Sequence, residues 1–205
     1  MKKIRTILCV IVFKLSISYH VNAQKLIRVD SIPINELKKD FPFAYSLDSI
    51  VFSNYFKIAH IADENSVASG KYFNYFGKIE PSDTLQVIEE LLALKGDKRA
   101  CAVPIAAYSV NALSYYPNRF EKFCTIEVEA LFLVEYIIES KPLKRLPYPI
   151  LRSIKSDHVV QNEYAIEKAY ESYRKWFKKI KKYGLHRAKK KGFYPLKHSG
   201  LRWYL

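Results

Sequence analysis

Residues 83–96, DTLQVIEELLALKG, decide the reading of the fold. Leu85, Ile88, Leu91 and Leu92 return every three to four residues, the spacing that lines one face of a helix. Asp83 stands at the N-cap position, and Gln86 three residues on completes a box-like start. Gly96 supplies the stop. The stretch predicts an amphipathic helix from 83 to about 94 and sets a helical frame for its surroundings.

Working outward, Asp97, Lys98 and Arg99 make a polar turn, and Pro104 suits the first turn of a second helix. That helix is expected to run to Tyr116, apolar almost all round and therefore central, and to end at Pro117. The helix–turn–helix over 83–116 resembles one unit of a HEAT-type repeat. Such units stack in at least about three copies. No second copy follows, so the segment reads as an αα-hairpin and implies no function. A third helix is predicted over 121–140. Upstream, 47–59 suits a helix, 34–40 a short one after Pro33, and 25–30 a short strand or extended arm. The stretch 60–82 shows no clear period, and its aromatic cluster is expected to lie on the body. Glycine is scarce, at 6 of 205 residues. That argues against tight hairpins and Gly-rich phosphate loops, and fits helices.

The fold class expected is therefore mostly α, an all-α helical bundle. A helical body spans 24–140. A connector at 141–159 follows, marked by Pro142, Pro147 and Pro149. A long basic amphipathic helix at about 160–183 folds back on the body and stops at Gly184. A basic turn at 185–191 ends at Gly192, and the last residues to 205 look irregular. The whole reads as a single domain.

The first 23 residues read as a secretory signal peptide. Lys2, Lys3 and Arg5 give a positive start, Ile7 to Phe13 an apolar core, and Val21-Asn22-Ala23 a small-residue cleavage site. The apolar run is far short of the roughly 20 residues a spanning helix needs. The chain is thus expected to be exported to the periplasm or cell exterior, with Gln24 as first mature residue and no transmembrane segment in the mature part.

Charge is segregated. Residues 24–140 carry 12 Lys/Arg and 16 Asp/Glu, a net of −4, whereas residues 141–205 carry 18 and 4, a net of +14. Within the long helix, Ile166, Ala169, Tyr173, Trp176, Phe177 and Ile180 form an apolar stripe. Arg174, Lys175, Lys178, Lys179, Lys181 and Lys182 cover the rest. Arg187, Lys189, Lys190 and Lys191 extend the basic face. Asymmetry of this kind points to an anionic surface or an acidic protein partner; export weighs against nucleic acid. Trp203 and Tyr204 read as a packed anchor or a short recognition tail.

Catalytic signatures are absent. Ser66 to Lys71 lacks the first glycine of a phosphate loop, and the residue three before Lys71 is Ala68, so S-x-x-K fails too. His60 and Glu64, with Asp63 alongside, find no third ligand at familiar spacing, so no metal and no cofactor are predicted. Glu127 and Glu129 sit among apolar residues on opposite flanks of the 121–140 helix, while Glu135 and Glu139 mark its solvated side. Burial would raise a glutamate pKa, so Glu127 and Glu129 are the candidate acid/base residues, with a structural bond to tyrosine or Lys/Arg as the plainer role. Cys9 leaves with the leader. Two cysteines in an exported chain invite a disulfide; if the helices they border are antiparallel neighbours, Cys101 and Cys124 stand roughly 18 Å apart, beyond disulfide reach, so the reading leans against a bridge and leaves it open. The sequence supports first an exported, non-enzymatic binding or scaffold protein. A small hydrolase using a glutamate of the 121–140 helix, and an inhibitor or immunity-type protein, are the alternatives. Oligomeric state is left open.

Overall fold

The computed structural model describes residues 25–33, 54–60, 79–104, 123–139 and 148–204. In chain order these form β1 (Ile27–Pro33), β2 (Asn54–His60), α1 (Thr84–Ala93), β3 (Ala100–Pro104), β4 (Phe123–Thr125), α2 (Ile126–Glu139), β5 (Tyr148–Ser153), α3 (Glu163–Tyr183), α4 (Leu185–Lys190) and β6 (Leu201–Tyr204). The architecture is mixed α/β, which overturns the expectation of a mostly α helical bundle. One sheet has the order β1-β2-β3-β4; β5 and β6 make a second, two-stranded sheet.

The strands escaped the sequence for a physical reason. β2 and β3 lie inside the sheet, so consecutive residues are buried: Ile58 with Ala59, and Cys101 with Ala102. Strands covered on both faces lack the alternation that marks a half-exposed strand, and a short apolar run then looks like a piece of buried helix. Thus 54–60, expected at the end of a helix, pairs antiparallel with β1 over seven residue pairs, from Ile27↔His60 to Pro33↔Asn54. Pro104 ends a strand opposite Phe123 instead of opening a helix. β2 and β3 run parallel, with α1 in the crossover, as parallel neighbours require. The glycine argument excluded tight hairpins, not strands: each antiparallel pair here is joined by a long stretch of chain.

α1 keeps the predicted limits. Val87, Ile88, Leu91 and Leu92 are buried, and Gly96 adopts φ +87° beyond its end. Asp83 occupies the cap position but its side chain makes no cap bond; Gln86 instead donates to Glu90 Oε1 at 2.9 Å. α2 starts at Ile126, later than expected, because 123–125 belong to β4. It is buried almost all round and meets β2, β3, β4, β5, α1 and α3. Its first amide groups are satisfied from the turn after α1: Ile126 N–H donates to Arg99 O at 2.9 Å and Glu127 N–H to Asp97 O at 3.0 Å, meeting the need of open helix ends.

α3 starts at an Asn162 cap, whose side chain accepts from Ala165 N–H at 2.9 Å. Its apolar stripe is covered: Ala169, Tyr173, Trp176, Phe177 and Ile180 are buried, with Tyr170 beside them, and Ile166 is half-buried against the core. The proposed connector contributes β5, and the supposedly irregular C-terminus contributes β6, paired antiparallel from Tyr148↔Tyr204 to Ser153↔Leu201. Leu201 and Trp203 point inward while Arg202 is exposed. Trp203 meets Phe132 of α2 edge to face, with ring centroids 5.6 Å apart. It is an anchor, not a recognition tail. Residues 1–23, expected to be a leader, residues 34–40, the 60–82 aromatic cluster, Asp63, Glu64 and the helix expected at 104–116 lie outside the described residues or run into them.

Candidate functional site

Glu127 and Glu129 are both sealed, 6% and 0% exposed. Glu127 Oε2 accepts from Gly96 N–H at 2.9 Å, and its backbone carbonyl accepts from Tyr170 OH at 2.8 Å. The residue clasps the turn after α1 to the head of α2. Glu129 accepts from Cys124 Sγ–H at 3.3 Å. An acid or base must reach its substrate, and neither carboxylate lines the cleft described below. Glu135, expected on the solvated side, is half-buried and accepts from Tyr173 OH at 2.8 Å. The side chains of Glu127 and Glu129 meet Gly96 N–H and Cys124 Sγ–H where a tyrosine or Lys/Arg partner is expected; the tyrosine bond falls to Glu135.

Arg174, Lys175, Lys178, Lys179, Lys181 and Lys182 are exposed on α3, as are Arg187, Lys190 and Lys191; Lys189 is half-buried. The body neutralises part of this charge. Lys98 bonds Glu163, and Lys95 bonds Glu167 at 2.5 Å, so the acidic first half of α3 is paired with the turn after α1. In the second half, Lys181 reaches Glu89 of α1 at 2.6 Å, and Lys175 lies 3.9 Å from Glu171. Among the described residues no carboxylate pairs with Lys179, Lys191 or Lys197.

A cleft of about 220 Å³ lies between α3 and the 191–198 segment. Lys175, Lys179, Lys191 and Lys197 rim it, with Trp176, Phe193, Tyr194, Pro195, Ser172 and His198 completing the wall. The segment is held onto α3 by two bonds: Trp176 Nε1–H to Phe193 O at 3.1 Å and Ser172 OH to Pro195 O at 2.5 Å. Gly192, at φ +66°, makes the turn that brings Phe193 back. Lys179 Nζ lies 4.8 Å from the centre of the Phe193 ring, and Lys197 Nζ donates to Gly192 O at 3.2 Å. The Ser172 hydroxyl is committed to a carbonyl, not to His198, so the wall holds no activated nucleophile. What it offers is positive charge over aromatic surface, suited to an anion with an apolar neighbour group.

The sequence named Lys175, Lys179 and Lys191 but not their partners. Lys197 and His198 lay in a tail read as irregular, and Trp176, read as core, is 3% exposed yet also forms part of the wall. Only the fold back at Gly192 unites them. Cys101 and Cys124 were misplaced. They stand on neighbouring antiparallel strands, and their sulfurs and a Glu129 carboxylate oxygen all lie within 4.8 Å of one another, fully buried. The 18 Å separation fails because neither cysteine ends a helix of an antiparallel pair. Compared with family models, curated proteins and solved structures, the chain matches none.

Proposed function

We propose that this chain is an exported, non-enzymatic binding protein whose basic C-terminal face docks on an anionic envelope surface, with the α3 cleft taking individual phosphate groups of lipids. One observation carries the reading. Three lysines without a carboxylate partner, Lys179, Lys191 and Lys197, converge with Lys175 on a cleft that has an aromatic wall. A merely solvated helix face would spread its cations. Here a glycine turn and two side-chain bonds hold a second cationic segment against the first. Among the described residues no helix is long and apolar enough to cross a membrane, which suits attachment from one side by charge, at about 1 kcal/mol per Lys or Arg near an anionic surface. Export rests on the Lys2 to Ala23 pattern.

The test is co-sedimentation of the mature chain with phosphatidylglycerol-containing vesicles and with pure phosphatidylcholine vesicles. Binding to the first alone, lost as salt is raised, is expected. Equal and negligible binding to both at low salt ends the proposal. A single salt-sensitive protein captured in place of lipid moves the site to an acidic protein partner.

A further inference from the structure

We propose that Cys101 and Cys124 close a buried disulfide across β3 and β4, formed while the chain folds after export. The proposal rests on the export reading for its oxidant and on the sheet for its geometry. Removal of residues 1–23 takes Cys9 away and leaves these two as the only cysteines. The antiparallel register sets Ala100 opposite Thr125. Pro104 lies opposite Phe123, with a register shift between the two pairs; Cys101 and Cys124 adjoin the first pair, and their sulfurs lie within 4.8 Å. Residues side by side on paired antiparallel strands have Cα atoms about 4.5–5.5 Å apart when in register, and a disulfide tolerates Cα separations up to about 7 Å, which leaves room for the shift.

The surroundings decide when the bond forms. The Cys101 sulfur beside it, then burial, then the Glu129 carboxylate push the Cys124 thiol well above its usual range. The attacking species in thiol–disulfide exchange is the thiolate. In the finished fold that species is suppressed and the pair is out of reach, with Cys101 0% and Cys124 2% exposed. Oxidation therefore precedes the burial of β3 and β4. One cysteine thiolate attacks the disulfide of an exported dithiol–disulfide oxidoreductase, expelling one of its sulfurs as thiolate. The second cysteine, deprotonated, attacks the mixed disulfide and expels the other. Two protons leave the pair and two electrons reduce the oxidoreductase to its dithiol. Once buried, the bond is shielded from reductants, so it acts as a staple and not as a switch.

A metal centre is the competing use of this cluster. Two thiols and one carboxylate leave a closed structural zinc site one donor short, and an open three-ligand site needs a water in the fourth position; among the described residues no fourth His, Cys, Asp or Glu joins the three, which are all buried.

The test starts from the full chain expressed with its leader in an exporting host and purified without reductant. It is denatured in a thiol alkylator and weighed intact, and its N-terminus is sequenced. The expected result is no alkylation, a mass lower by two hydrogen atoms, and one cross-linked Cys101–Cys124 peptide. Two alkylated thiols on a chain beginning at Gln24 overturn the disulfide, as does zinc recovered in equal amount with the protein. A separate arm refolds the reduced chain in a glutathione/glutathione-disulfide buffer. Closure of the pair there upholds the geometry even if cellular protein retains residues 1–23, which overturns export alone; failure to close overturns the geometry. Reduction of the closed form should lower the folded-to-unfolded ratio by about two orders of magnitude, the scale for a loop of this length. The Cys101→Ala/Cys124→Ala chain should show no effect of reductant.

Discussion

Trp203 donates its indole N–H to the Tyr173 hydroxyl at 2.8 Å, and that hydroxyl donates to Glu135 at 2.8 Å. This relay ties β6 to α3 and α3 to α2. It converts the last residues of the chain from a tail into a member of the core.

Trp203→Phe keeps most of the buried ring and removes the N–H. A cost of about 1–2 kcal/mol is expected, against about 3–5 kcal/mol for Trp203→Ala. Urea titration measures both. If Trp203→Ala unfolds at the same midpoint as the parent, the anchor role is wrong.

Alkaline pH should unfold the protein through its buried tyrosines. Burial, reinforced by Glu135, holds the Tyr173 hydroxyl well above the usual range, and burial with Glu127 does the same for Tyr170. In the unfolded chain both ionise near about pH 10. Their contribution is therefore complete below that pH and is lost as pH rises above it. Tyrosinate absorbance should show two groups ionising late, together with loss of circular dichroism. Titration of every tyrosine before unfolding would contradict this.

The cleft and the α1 side of α3 should behave differently. Lys179→Ala and Lys191→Ala each remove from the cleft a cation that no carboxylate neutralises among the described residues, and should weaken anionic-vesicle binding roughly fivefold. Lys181→Ala removes a cation already paired with Glu89 and should change binding much less. Equal losses from all three would mean a diffuse field and no discrete site.

Glu90 accepts from Leu26 N–H at 2.9 Å, from Ile27 N–H at 2.7 Å and from the Gln86 side chain. It fastens the start of β1 to α1. Glu90→Ala should cost about 1.5–3 kcal/mol, the range for bonds to a charged group, and amide exchange at Ile27 should accelerate. Unchanged exchange there would rule out the clamp.

Gly184 stands between α3 and α4 at φ +78°, with nothing within 4 Å of an added Cβ. Gly184→Ala meets no clash, so its cost of about 1–3 kcal/mol comes from backbone strain alone. Thermal melting reads the loss.

Elements signalled by nearby residues were legible. The stop of α1 at Gly96, the end of α3 at Gly184 and the basic turn to Gly192 follow from helical period and glycine, and all stand as expected. The burial of Glu127 and Glu129 was legible from their apolar neighbours on α2. Their partners were not, because Gly96, Tyr170 and Cys124 arrive from other elements. β2, β3, β4 and β6 were illegible: three to seven residues carry too short a pattern, and central strands show no alternation.

The sequence by itself determined where α1, α3 and α4 run, which face of α3 is apolar and where positive charge collects, because helices bond within themselves and charge is a property of composition. Only the tertiary structure decided that the fold is mixed α/β, that Cys101 meets Cys124 and that Lys197 joins Lys179 at one cleft. The reason is that a strand's hydrogen bonds, a sulfur's neighbour and a cleft's opposite wall are supplied by residues distant along the chain, and no local pattern encodes which distant residue arrives.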